Sequence, residues 1–168
     1  MEAEFEDDVL YPGRGRSCSS NAMPHLRKAF TSFKQFAGAE LTDIYKPDRL
    51  KNALKLNAAV FESGILINDS EVGGAIQFTF KALPRIAQIA PSFGVVVQDV
   101  NHDGKADLYL AQNFHSPQVE TGRMSGGLSQ LLLGKGDGSF EPIPAEQSGL
   151  WVPGDAASLT RADVNGDG

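Results

Sequence analysis

A chain of 168 residues is long enough to bury one ordinary domain core, and 41% hydrophobic with 21% charged residues is the balance of a globular protein. Fifteen basic against 21 acidic residues, a formal charge of −6, with no Lys/Arg cluster beyond Arg14-Gly15-Arg16 and Arg27-Lys28, argue against a nucleic-acid partner. Cys18 is the only cysteine, which excludes an intrachain disulfide, a thiolate metal cluster and a redox pair.

No segment of the first twenty residues has a signal-peptide apolar core, and no later run approaches about 18 apolar residues. The chain as it stands is therefore expected to be neither targeted nor inserted in a membrane. Residues 1–27 mix acidic, Gly, Arg and Ser residues without period and read as a disordered lead-in. Over residues 28–57 the apolar cluster Leu41, Ile44 and Tyr45, Pro47 as a helix opener, and Leu50, Ala53, Leu54 and Asn57 at helical spacing predict a short helical segment. Leu50 and Leu54 are expected to pack on a sheet.

Residues 58–168 read as short strands rich in β-branched and aromatic residues, broken by Gly, Asn, Asp and Pro. The candidates are Val60–Asn68, Gln77–Leu83, Phe93–Asp99, Asp107–Asn113, Ser129–Gly134, Ser139–Ile143 and Ala156–Ala162. Between two of them, Gly134-Lys135-Gly136-Asp137-Gly138 has the glycines of a hairpin. A phosphate loop would need a helix after it, where the sequence has a strand pattern.

Internal repetition organises this region. Asp99-Val100-Asn101-His102-Asp103-Gly104 returns 64 positions later as Asp163-Val164-Asn165-Gly166-Asp167-Gly168, and Phe80-Lys81-Ala82-Leu83-Pro84 returns 60 positions later as Phe140-Glu141-Pro142-Ile143-Pro144. A unit of four strands with one Asp-rich loop is what a β-propeller blade needs. The expected fold is mainly β: one full four-stranded blade over about residues 93–143, parts of its neighbours, and a short helical N-terminal segment. A sequence that stops at Gly168, inside a loop, is expected to be a truncated piece of a longer array.

The loop Asp99–Asp107 carries oxygen side chains at positions 1, 3, 5 and 9, from Asp99, Asn101, Asp103 and Asp107, with the Lys105 carbonyl at position 7. A hard cation such as Ca²⁺ takes about six to eight oxygens, and alternate residues reach one point only if the chain turns sharply, which Gly104 permits. Three carboxylates in one small loop repel one another without a cation. An EF-hand would need an acid at position 12 and flanking helices, but position 12 is Leu110 and both flanks are strand-like. The second loop supplies Asp163, Asn165 and Asp167 before the sequence stops, so its position 9 is undefined. The plain alternative is an Asx-Gly turn that binds nothing.

The run DVNHDGKADLYLA, its restart as DVNGDG, and Phe93-Gly94 ahead of the first loop resemble FG-GAP/VCBS repeats of the integrin α-subunit type. FKALPRIAQIAPSFGVVVQDVNHDG is similar to bacterial proteins carrying FG-GAP and ASPIC/UnbV-type regions. The resemblance covers about residues 58–168. It implies a Ca²⁺-stabilised propeller, exported to the extracellular space, periplasm or cell surface, that recognises a protein or carbohydrate ligand. The stretch before Asn57 and the long loop 113–127 depart from the pattern.

Other chemistry is thinly represented. His25, His102 and His115 have no acidic or thiol partner at ligand spacing, and Gly122-Arg123-Met124-Ser125-Gly126 lacks the spacing of a nucleophile elbow. Glu120 and Arg123 read as solvated loop charges, and Trp151 as blade packing. The reading is a non-catalytic calcium-binding module, with self-association through exposed blade edges. Its rival is a metal-dependent lyase or hydrolase on a propeller scaffold, which needs an open coordination position beside a general base.

Overall fold

In the computed structural model, residues 2–119 and 121–166 are described. The chain forms two units, Met1–Ala58 and Ala59–Gly168. It is mainly sheet, 26% strand against 20% helix, and none of its described helices is long and apolar enough to cross a membrane.

The first unit opens with an antiparallel hairpin, β1 (Ala3–Glu6) and β2 (Val9–Pro12), where a disordered lead-in is expected. Glu6 pairs with Val9, so Asp7 and Asp8 form a two-residue turn, both with positive φ (48° and 65°). Asp tolerates that conformation, and a turn of this hand matches the twist of the flanking strands. The Asp-Asp pair is the local signal that an overall reading of composition passes over.

Short helices follow: α1 (Arg16–Ala22), α2 (Leu26–Ala29), α3 (Phe33–Ala37), α4 (Leu41–Ile44) and α5 (Pro47–Lys51). Ser32 caps α3 by accepting the Gln35 amide, and Glu40 and Asp43 form a reciprocal capping box on α4. Helices this short depend on packing rather than propensity. Leu26, Phe30, Phe36, Ala39 and Ile44 make the core, with Phe30 edge-on to Phe36 at 5.4 Å and Tyr45 packed alongside. Pro47 opens α5 as expected, but the helix ends at Lys51. Leu54 consequently falls off the helical stripe and is 85% exposed rather than packed on a sheet.

The second unit contains a two-stranded sheet, β3 (Gly64–Asn68) with β4 (Phe78–Ala82), and a four-stranded antiparallel meander, β5 (Ser92–Gln98), β6 (Asp107–Gln112), β7 (Gln130–Gly134) and β8 (Phe140–Ile143), paired in chain order. Six of the seven expected strands are present. Ala156–Ala162 has no ladder pairing. Among the described residues there is no closed ring of blades.

Leu108 and Leu110 of β6 and Leu132 of β7 share one sheet face, and pack with Leu83 and Ala87, against which Ile65 of β3 and Phe140 also lie. β4 and β8 each lead through a proline, Pro84 or Pro144, into one helical turn, Arg85–Gln88 and Ala145–Ser148 (α6). The glycine stretch after β7 is a hairpin, closed by the Lys135 amide on the Ser139 carbonyl, with Gly136 and Gly138 at positive φ.

The candidate Asp loop and its surroundings

Residues 99–106 connect β5 to β6, whose last paired residues are Gln98 and Asp107. The ladder on either side fixes both ends of the loop, and the Asx side chains fix its interior. The Asp99 carboxylate accepts the Asp103 amide at Oδ1 (3.1 Å) and the Gly104 amide at Oδ2 (2.8 Å). Asn101 Oδ1 accepts the same Asp103 amide (3.1 Å), and Asp103 Oδ1 accepts the Lys105 amide (2.9 Å). The side-chain oxygens of positions 1, 3 and 5 therefore wrap three consecutive backbone N–H groups. Asx side chains favour such local bonds.

Two residues take positive φ to make this bend, Gly104 (82°) and His102 (59°). Gly104 is the turn the sequence indicates. His102 at position 4 is the unexpected one, although Gly166, at position 4 of the second loop, has φ of 78°. There the Asp163 carboxylate accepts the Gly166 amide at 2.7 Å. Asn165 also lies in this loop, and Asp167 lies outside the described residues.

Asp107 is turned to the protein interior. It is 1% exposed, its Oδ2 accepts the Val100 amide (2.9 Å) and its Oδ1 the Gly134 amide (2.8 Å). It thereby ties the start of the loop to the end of β7. Gly134 is required there, because a Cβ would stand 2.1 Å from the Ala106 carbonyl oxygen.

The donor chemistry suits a hard cation: every candidate side chain presents oxygen, and a carboxylate oxygen that accepts one N–H keeps a second lone pair. The only ion pair in the loop among the described residues is Lys105 Nζ to Asp103 Oδ2 at 3.3 Å. The Lys105 amide is the main cause that holds the Asp103 carboxyl below the ordinary aspartate range, and the ammonium adds to it. In this arrangement no three His, Cys, Asp or Glu side chains among the described residues gather as a metal cluster. Asp99 and Asp103 serve the loop amides, and Asp107 serves Val100 and Gly134.

Beyond the loop lies a polar arrangement the sequence did not announce. Gln112 and Asn113 are buried at the end of β6, where Gln112 Nε2 donates to the carbonyls of Ala87 (3.1 Å) and Ala90 (3.3 Å). His115 Nδ1 faces the Arg123 guanidinium at 3.1 Å, so this nitrogen is the acceptor, and its Nε2 is buried without a partner among the described residues. Trp151 is 62% exposed rather than packed in a blade. The chain bends at 149, where Gly149 sits at positive φ, and the Val152 amide then donates to the Leu128 carbonyl. A cleft of about 820 Å³ lies in the first unit, between the hairpin and α3.

Phe93-Gly94 has a physical account. Phe93 stacks edge-on with Phe114 at 5.3 Å, and Gly94 leaves room for a crossing backbone, since a Cβ would meet Leu159 N and Cβ at 2.7 Å. Comparison with family models, curated proteins and solved structures found no match.

Proposed function

We propose that the second unit is a calcium-binding repeat module of β-propeller type, acting in recognition or adhesion rather than catalysis. The observation that carries this reading is the loop between β5 and β6, in which the oxygens of Asp99, Asn101 and Asp103 are held side by side on consecutive amides. A cation there would draw on those three side chains, the Lys105 carbonyl and the remaining lone pairs of Asp107, with the corresponding Asp163, Asn165 and Asp167 in the second loop. It would neutralise three carboxylates that one lysine offsets only in part.

Two further features support repetition. β4 and β8 share the sequence strand, proline, helical turn, and position 4 is left-handed in both Asp loops. In this reading calcium is structural, the module works outside the cytoplasm, and its partner is a protein or carbohydrate. β5 is an edge strand of its sheet among the described residues, and a further strand or a second copy would pair with it.

Calcium that binds only the folded chain stabilises it by RT ln(1 + [Ca²⁺]/Kd), about 2.7 kcal/mol at a hundredfold excess over Kd. Thermal melting with calcium and with EDTA is the test. A higher melting temperature with calcium, lost on substitution Asp99→Ala, is expected. Superimposed curves with no heat of calcium binding by calorimetry would overturn the reading.

A further inference from the structure

We propose that Asn113 is a latch, which fastens the segment 150–159 across the sheet so that this segment detaches as a unit without unfolding the strands. The inference stands apart from calcium binding.

Asn113 is 0% exposed and has φ of 85°, a left-handed conformation that asparagine tolerates better than most residues. Its own amide donates to the Pro91 carbonyl at 3.1 Å, which fixes the residue to the start of β5. The carboxamide is then fully used. Oδ1 accepts the Gly127 amide (2.8 Å), and the two Nδ2 hydrogens are shared among the carbonyls of Gly127 (2.8 Å), Gly154 (3.0 Å) and Pro153 (3.2 Å). Only a side chain with both a donor and an acceptor on one planar group makes this set. A Cβ on Gly127 would stand 3.0 Å from Asn113 Oδ1 and crowd the carboxamide.

The fastened segment is held elsewhere by single bonds. The Val152 amide donates to the Leu128 carbonyl (3.0 Å), the His115 amide to Asp155 Oδ2 (3.3 Å), and the Ala156 amide to the Gln112 carbonyl (3.3 Å). Beyond Ala156 the chain passes over Gly94 at Ser158 and Leu159. Gly94 pairs with Ala111 next to the pair Val95 and Leu110, so strand alternation places this crossing on the face opposite Leu110. The segment forms no ladder with any strand, and the buried Asn113 side chain holds two of its carbonyls at once. Losing that anchor leaves single bonds outside any ladder, which open at low free-energy cost compared with core strands.

Amide hydrogen exchange on the full chain tests the proposal. Asn113→Asp is nearly isosteric and keeps an acceptor for Gly127, but it turns oxygen toward the Pro153 and Gly154 carbonyls. Exchange at Val152 and Ala156 should rise at least tenfold, with the strand amides of β6 and β7 unchanged. Unchanged exchange at Val152 and Ala156 overturns the latch, and so does equal acceleration throughout, since Asn113 then only supports the fold. If the variant does not fold, the wild-type chain decides under rising sub-denaturing urea. The Val152 and Ala156 amides should follow one common opening curve below that of the strands, and separate curves overturn the proposal.

Discussion

In calcium-free buffer, removal of the Asp107 carboxylate tests its role as a brace between the start of the loop and the end of β7. In Asp107→Ala two backbone donors lose their acceptor, Val100 N–H on the partly buried side and Gly134 N–H in the buried interior. A buried donor left unsatisfied costs about 1–3 kcal/mol, so the pair should cost roughly 2–5 kcal/mol once water reaches the Val100 side. Asp107→Asn keeps one acceptor oxygen while its NH₂ faces the other donor, so its loss should be about 1–3 kcal/mol. Urea unfolding followed by circular dichroism gives the stability difference, and amide exchange locates it. Both variants should speed exchange at Val100 and Gly134, alanine more than asparagine. Stabilities within about 0.5 kcal/mol of wild type, the range of ordinary surface changes, with unaltered exchange at those amides would refute the assignment of Asp107 as a brace.

Other expectations test packing, backbone clearance and ionisation. Leu132 is fully buried between β6 and β8, so Leu132→Ala should cost about 3–5 kcal/mol in the same urea assay. Gly134→Ala places a Cβ against a backbone oxygen that has no freedom to rotate away, and it should destabilise more than Gly136→Ala, which meets only the flexible Lys105 side chain at 3.3 Å. Gly136 has positive φ, so its alanine variant still carries a strain cost of roughly 1 kcal/mol, and the comparison turns on the excess at 134. For Asp103, the Lys105 amide lowers the carboxyl pKa in the folded chain. Its contribution to stability is therefore present above the ordinary aspartate value of about 3.9 and is lost as pH falls through the lower folded value. A carboxyl-carbon NMR titration should show a midpoint for Asp103 below that of an unstructured aspartate, and a midpoint at or above it would remove the loop bond from the account.

Local chemistry decided what the amino-acid sequence alone specifies here. Short apolar runs, β-branched in β3 and β5, aromatic in β4 and leucine-rich in β6 and β7, mark strands of the second unit, because side-chain period and propensity act within a few residues. Gly104, Gly136 and Gly138 marked the bends in the same way, since positive φ is a property of single residues. The Asp99 loop could be read because its oxygens bond to amides only two to five residues away. Tertiary structure alone decided what depends on distant partners. The sequence places Asp107 at position 9 of the loop, but only the fold brings Gly134, 27 residues on, to its oxygen. Asn113 was an unremarkable strand end until carbonyls 40 and 41 residues away closed on its amide. Ala156–Ala162 has strand composition but no ladder, because pairing needs a neighbour with free backbone groups beside it, and composition carries no record of neighbours. The N-terminal hairpin shows the converse: its strands are ordinary, and the two-aspartate turn between them supplies the geometry.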